Sequence, residues 1–270
     1  MRNHFHEADL NVQIEKQGFA VVPFATAQEI QGIKNFYNNL PAVDAKGTYV
    51  TMFHPSYEYR RMVDEKIKSL FEERAAGLLN NYKALFANFM VKEAGKEGDF
   101  PMHQDWTYVD ESRFASYAFW IPMQDVDAEN GALHVVPGSH KFGRNLRGPY
   151  IHEPFQRLSD TLKAKYAVPV MLKAGEALVW DHRLIHYSLP NRTTQSRLAF
   201  TLIMTPHDAE VIHCFGRRQS SFDEVDVFSV GPDFYLNYVI SQPPLGVKLV
   251  RTAKQEHINF RIEQFEGFQN

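Results

Sequence analysis

Apolar positions in the first ninety residues recur at two different periods. "GFAVVPF" (18–24) is a continuous apolar run with the length of a buried strand. Thr26 follows, with Glu29 three residues on, the signature of a capping box. Ile30, Ile33, Phe36, Tyr37 and Leu40 then fall at helical spacing, so a helix is expected after Thr26. A second helix is expected over 61–82, where Val63, Ile67, Leu70, Phe71, Leu78 and Leu79 share a face and charged residues take the other.

After Asn81 the pattern shortens. "ALFANFMV" (84–91), "YAFWIPM" (117–123), "ALHVVPG" (132–138), "VPVML" (168–172), "EALVWDH" (176–182) and "RLAFTLIM" (197–204) are short apolar runs. Glu129-Asn130-Gly131, Pro137-Gly138-Ser139 and Ala174-Gly175 punctuate them as turns. Many short strands at this spacing predict a mainly β sandwich or barrel, with α-helices flanking its N-terminal side. The expected organisation is one domain over 1–270. It has a helical flank at about 1–82, a β core at about 83–205 and a loop-rich C-terminal extension at about 206–270. "GPDFYLNY" and "QPPLG" in that extension read as loops.

Composition narrows the class. The 270 residues are 44% hydrophobic and 23% charged, ordinary for a globular protein with a sizeable core. A net charge of −3 argues against nucleic acid or an anionic membrane surface as partner. Cys214 is the only cysteine, which excludes an intramolecular disulfide or a thiolate metal cluster. "MRNHFHEADL" does not read as a signal peptide, and no run approaches 18 apolar residues. A cytoplasmic protein, monomer or homodimer, acting on a small molecule is expected. No glycine-rich phosphate loop is present.

The candidate chemistry begins at "FPMHQDWTYVD" (100–110). On a strand, residues i and i+2 share a face, so His103 and Asp105 would project together and Gln104 away. Such a pair suits two adjacent positions on a metal. With 12 histidines and 32 acidic residues, however, about one His-x-acid pair arises from composition alone. His186 lies in a later strand region, with Ser188 two residues on and Arg197 heading the next apolar strand. A charge at the edge of a core needs a partner. That partner is an internal Asp or Glu, or else the carboxylate of a ligand. Together, two histidines and one carboxylate make a facial triad suited to non-haem Fe(II), with open positions for a 2-oxo acid and O2. Arg197 and Ser188 could then clamp the distal carboxylate of that acid.

"HQD" (103–105), "NGALHVVPGSHK" (130–141) and "HYSLPNRTTQSR" (186–197) resemble the motifs of the phytanoyl-CoA dioxygenase family of Fe(II)/2-oxoglutarate oxygenases, and "EKQGFAVVPFATAQEI" (15–30) resembles its opening. The resemblance runs from about 12 to 205, with three separated motifs in order. It implies a double-stranded β-helix, a cupin-like jelly roll. It implies His103, Asp105 and His186 as iron ligands, and Arg197, Ser188, Trp120 and Asn88 around 2-oxoglutarate. The implied reaction is hydroxylation of an amino acid or other small metabolite, with succinate and CO2 as co-products. Desaturation, cyclisation or epimerisation would use the same residues. Asp105 argues against halide transfer, because that reaction needs the carboxylate position open. A cupin-like isomerase or hydrolase is the non-oxygenase alternative, and it leaves Arg197 without a role.

Tyr108, Trp106 and His134 are the candidate substrate contacts. His182, four residues before His186, has zinc-pair spacing only on a helix, and its neighbours favour strand and turn, so a supporting or surface place is expected. His140 is expected to bond backbone near its turn. Arg144 and Arg147 read as a solvated loop, or as anion-binding residues. His213 is expected to be an ordinary polar residue and Cys214 to pack without a partner.

Overall fold

In the computed structural model, described for residues 3–43, 46–95, 98–142, 145–217, 224–240, 242–254 and 261–266, the chain opens with a helix that the hydrophobic pattern did not announce. Helix α1 (Ala8–Gln17) buries only Leu10 and Ile14, too few positions to form a visible stripe. Strand β1 (Phe19–Pro23) leads into α2 (Ala27–Asn38) through the expected capping box, in which Thr26 and Glu29 each accept the other's backbone N–H. Strand β2 (Thr48–Val50) precedes α3, which spans Tyr57–Leu78 rather than 61–82. Its start is moved forward by Ser56, whose hydroxyl accepts the Tyr59 N–H. Its end is moved back because Asn81 takes a left-handed φ of 64°, which turns the chain into the next strand. Val63, Ile67 and Phe71 are buried as expected, whereas Leu70 is 39% exposed.

Strands β3 (Tyr82–Lys92), β4 (Phe100–His103), β5 (Tyr117–Pro122) and β6 (Leu133–Val135) follow. Helix α4 (Ser159–Lys165) separates them from β7 (Val168–Val170), β8 (Glu176–Asp181), β9 (His186–Ser188) and β10 (Arg197–Pro206). They form two antiparallel sheets, ordered β1-β8-β5-β10-β3-β2 and β4-β9-β6-β7. This is the expected double-stranded β-helix with N-terminal helices beside it.

The larger sheet is buried on both faces, which explains its continuous apolar runs. Ala87, Phe89, Phe119, Phe200 and Leu202 pack against Ile33, Val63, Ile67 and Phe71 of the helices. The alternate residues Phe86, Ala118, Trp120, Ala199 and Ile203 face the smaller sheet with Leu133 and Val135. Strand alternation thus gives one sheet a helix side and a cavity side.

The C-terminal stretch read as loops carries a third sheet. Strands β11 (Ile212–Gly216), β12 (Glu224–Ser229) and β13 (Lys248–Lys254) pair in that order, with helix α5 (Phe234–Asn237) inside "GPDFYLNY". Strand β13 is exposed along nearly its whole length and so shows no alternation, whereas β12 alternates and β11 is buried throughout. "QPPLG" has no regular structure. The Ile212 N–H donates to the Tyr108 carbonyl (2.9 Å), and Arg60 on α3 donates to the Tyr238 carbonyl (3.0 Å). The extension is therefore fastened to the rest of the chain. Among the described residues no helix is long and apolar enough to cross a membrane.

Candidate functional site

Pairing of β4 with β9 sets His103 opposite His186, and pairing of β9 with β6 sets His186 opposite Val135. The two imidazoles thereby come to a ring separation of 4.2 Å. Strand β4 ends at His103, so Asp105 reaches them from a loop rather than from a continuing strand. Two bonds hold that loop. The Asp105 N–H donates to the His182 carbonyl (3.1 Å), and the Gln104 amide donates to the Arg183 carbonyl. Gln104 is thus turned from the ligand atoms, as expected. One ligand atom each from His103, Asp105 and His186 lies within 4.8 Å of the others. Asp105 Oδ1 is 3.7 Å from His103 Nε2 and 3.9 Å from His186 Nε2.

The surrounding bonds orient these atoms. His103 Nδ1 meets the Pro101 carbonyl at 2.8 Å and His186 Nδ1 meets the Leu184 carbonyl at 2.9 Å. A protonated Nδ1 there leaves each Nε2 lone pair free to coordinate. Trp180 Nε1 donates to Asp105 Oδ2 (2.7 Å), leaving Oδ1 toward the imidazoles. Burial opposes ionisation of Asp105, but the nearby imidazoles, His186 foremost, hold its pKa well below the usual carboxylate range. A donor set of two imidazoles and one carboxylate on one side is what Fe(II) with open positions requires.

Arg147 overturns the solvated-loop reading. It is buried, pairs with Glu111 (2.9 Å), and donates from Nε to the Asp105 carbonyl (2.7 Å). It therefore braces the ligand loop from behind. Arg144 lies outside the described residues. His182 supports the site, fully buried with Nδ1 at 2.7 Å from Ser116 Oγ. His140 is buried and its Nδ1 has no protein partner, so the expected backbone bond is not formed there. His213 is not an ordinary polar residue. It is buried among Trp106, Phe234 and Tyr238, and that burial pushes its pKa down to about 3. Cys214 is buried with Ile212, Val225 and Val227.

The cluster opens into a cavity of about 330 Å3. Its floor is a row set by strand register: Asn88 opposite Thr201, and Thr201 opposite Trp120. Arg197 stands at the end of the row, 2% exposed, its guanidinium 4.9 Å from the centre of the Trp120 ring. Burial lowers its pKa to about 10. Arg197 Nε and Nη1, Thr201 Oγ1, Trp120 Nε1 and Asn88 Oδ1 are all buried without a protein partner. The internal carboxylate weighed as a partner for Arg197 is absent among the described residues. Four orphaned polar groups on one floor form a well whose donors match a ligand carboxylate.

Ser188 lines the same cavity, and it brings a residue that the sequence reading missed. Lys92, fully buried and paired in register with Arg197, donates to Ser188 Oγ (2.8 Å), the Gly98 carbonyl (2.8 Å) and the Leu189 carbonyl (2.7 Å). Burial and the neighbouring Arg197 push its pKa down to about 7. Gly131 (φ 84°) makes room for it, since a Cβ there would lie 2.7 Å from Lys92 Cδ. The available signal was a polar residue at the inward phase of the 86-88-90-92 alternation. Trp180 and Glu153 also line the cavity and were not singled out. Of the expected substrate contacts, Tyr108 and Trp106 line the cavity, while His134 stacks on Tyr187 at 4.8 Å outside the set of lining residues. Leu133, one residue earlier on β6, takes the inward phase instead.

Residues 14–199 match the family model described as phytanoyl-CoA dioxygenase. A phytanoyl-CoA dioxygenase domain-containing protein 1 homolog of Dictyostelium discoideum is 27% identical over 168 residues, 58% of this chain and 56% of the relative. Phytanoyl-CoA dioxygenase 1 of Oryza sativa subsp. japonica is 33% identical over 116 residues, 42% of this chain and 41% of the relative. The alignments thus span about half the length of these curated relatives. Among solved structures, the carbocyclase SnoK of nogalamycin biosynthesis is similar at TM-score 0.55 and 19% identity, over 76% of this chain and 86% of that one. The epimerase SnoN, solved with Fe3+, alpha ketoglutarate and nogalamycin RO, is similar at TM-score 0.55 and 17% identity, over 92% of this chain and 94% of that one. These two share the fold.

Proposed function

We propose that this chain, which belongs to the phytanoyl-CoA dioxygenase family, is an Fe(II)- and 2-oxoglutarate-dependent oxygenase that hydroxylates a small organic molecule. The observation that carries the reading is the buried, unpartnered Arg197 guanidinium in the same cavity as His103, Asp105 and His186. A buried charge without a partner costs about 3–5 kcal/mol, so the fold tolerates it where a ligand completes it. A metal-dependent isomerase or hydrolase has no use for that group.

Fe(II) with 2-oxoglutarate and O2 would supply the oxidising chemistry, O2 being the oxidant and succinate and CO2 the co-products. His103, Asp105 and His186 would hold the metal. Trp180 and Arg147 keep the Asp105 carboxylate and its loop in place. Arg197, Thr201 and Trp120 would take the distal carboxylate of the co-substrate, and Ser188 adds a hydroxyl whose oxygen already accepts from Lys92. Phe86, Tyr108 and Trp106 wall the cavity and keep water from the reacting centre.

Anaerobic protein with Fe(II) and 2-oxoglutarate is expected to develop a weak visible charge-transfer band, absent in His186→Ala. With O2, labelled 2-oxoglutarate should release CO2. No band and no CO2 from metal-loaded protein would sink the reading. Ring closure and epimerisation use the same residues, and carbocyclase SnoK and epimerase SnoN share the fold. A product heavier by one oxygen separates hydroxylation from both.

A further inference from the structure

The cavity must also seat the molecule that is oxidised, and its charges limit what that molecule is. Away from the metal cluster the wall is apolar, formed by Val50, Met52, Phe53, Trp106, Ile203 and Ile240. Three acidic or basic side chains other than histidine line the cavity among the described residues: Arg197, Asp105 and Glu153. On the oxygenase reading, Arg197 is taken by the co-substrate and Asp105 by the metal. Glu153 is left.

Glu153 is partly buried, and its Oε2 is shielded from solvent with no protein partner. Arg147, whose charge acts on it, is already committed to Glu111 and to the Asp105 carbonyl. Burial pushes the Glu153 carboxyl up to about 7. An acceptor left bare against an apolar wall is costly until something donates to it. A free carboxylate or phosphate head in the same space would meet Glu153 and, among the described lining residues, no uncommitted cation.

We propose that the molecule oxidised is non-anionic, with an apolar body and a hydrogen-bond donor, an amine or a hydroxyl, that docks on Glu153. This rests on the oxygenase reading for the commitment of Arg197 to the co-substrate and of Asp105 to the metal.

All three tryptophans of the chain, Trp106, Trp120 and Trp180, line the cavity, so intrinsic fluorescence reports its occupancy. Three probes share one ring and differ in the head: 2-phenylethylamine, 2-phenylethanol and 3-phenylpropanoate. They are titrated into protein with Fe(II) and saturating 2-oxoglutarate under nitrogen. The amine and the alcohol should bind about ten-fold more tightly than the acid. Glu153→Gln should cost the amine about ten-fold and spare the alcohol, and Glu153→Leu should weaken both. Equal or tighter binding of the acid overturns the proposal. So does an unchanged ranking in Glu153→Leu, or no response to any probe at millimolar concentration. The titrations are repeated in Arg197→Met without 2-oxoglutarate, where the acid has no arginine to bind. A ranking that persists there, with no CO2 released from 2-oxoglutarate by the unaltered protein, keeps the Glu153 assignment and removes the oxygenase reading. CO2 release without the ranking does the reverse.

Discussion

On β10, Leu198, Phe200 and Leu202 point to the helices, while Arg197, Ala199, Thr201 and Ile203 point to the smaller sheet. The same ten residues thus build two surfaces. On the helix side charges come in pairs: Glu29 with Arg74 at 2.6 Å, and Asp64 with Lys68 at 3.1 Å. On the cavity side Arg197, Thr201, Trp120 and Asn88 hold polar atoms that nothing in the protein satisfies. The first surface pairs these charges without a ligand, and the second leaves a whole row of polar groups open. Stability and binding should therefore separate by strand phase, one residue apart.

The largest effect should come from the helix side. Phe200 is fully buried and stacks on Phe71 at 4.6 Å. Phe200→Ala should cost about 3–5 kcal/mol in urea unfolding, from lost transfer and a cavity. The protein that remains folded should keep its KM for 2-oxoglutarate. A loss below about 1 kcal/mol would mean that the helices do not hold the sheet.

Three positions earlier, on the opposite phase of the strand, the balance reverses. Arg197→Met should weaken 2-oxoglutarate binding about 100-fold, roughly 3 kcal/mol. The ligand-free protein should melt at the same temperature or higher, because an uncompensated buried charge has been removed. A large drop in ligand-free Tm would break the comparison, since it would make Arg197 structural.

Lys92 tests an intermediate case. It is a cation on the cavity side, yet three acceptors satisfy it. By donating to Ser188 Oγ it leaves the serine's own hydrogen free for a ligand. Lys92→Met should raise the KM for 2-oxoglutarate about ten-fold with kcat little changed. The response to pyruvate, which lacks a distal carboxylate, should stay the same. Equal losses for both acids would show that Lys92 only ties loops together.

Phase also explains what the sequence disclosed. Runs such as "YAFWIP" stood out because both faces of β5 are buried. His103, Asp105 and His186 were legible through spacing and motif, and Arg197 through a charge placed at the head of an apolar strand. Lys92, Trp180 and Glu153 were not. Lys92 acts through the register of β3 with β10, and Glu153 and Arg147 act through loop packing, neither of which has a local pattern. Helix α1 and strand β13 were missed for a simpler reason: α1 buries two residues and β13 is almost wholly exposed, so neither shows a period.

The smallest effect tests the paired charges of the helix side. Glu29 accepts from Arg74 at 2.9 and 2.6 Å and from the Thr26 N–H at 2.8 Å. The Arg74 bonds foremost, then the Thr26 N–H, lower its pKa from 4.5 to about 2. Between those values the unfolded chain binds more protons than the folded one, so stability falls as pH falls. The contribution is complete above about 4.5 and gone near 2. Arg74 and Glu29 are 39% and 30% exposed, so solvent screens the pair to about 1 kcal/mol. Glu29→Gln keeps a capping side chain and removes the charge. The difference in urea midpoint between the two proteins should be clear at pH 7 and shrink steadily as pH is lowered from 4.5 toward 2. Affinity for 2-oxoglutarate at pH 7 should not move, because Glu29 sits on the face that no ligand completes. If it does move, the helices and the cavity are coupled through the sheet, and the two phases of β10 do not act independently.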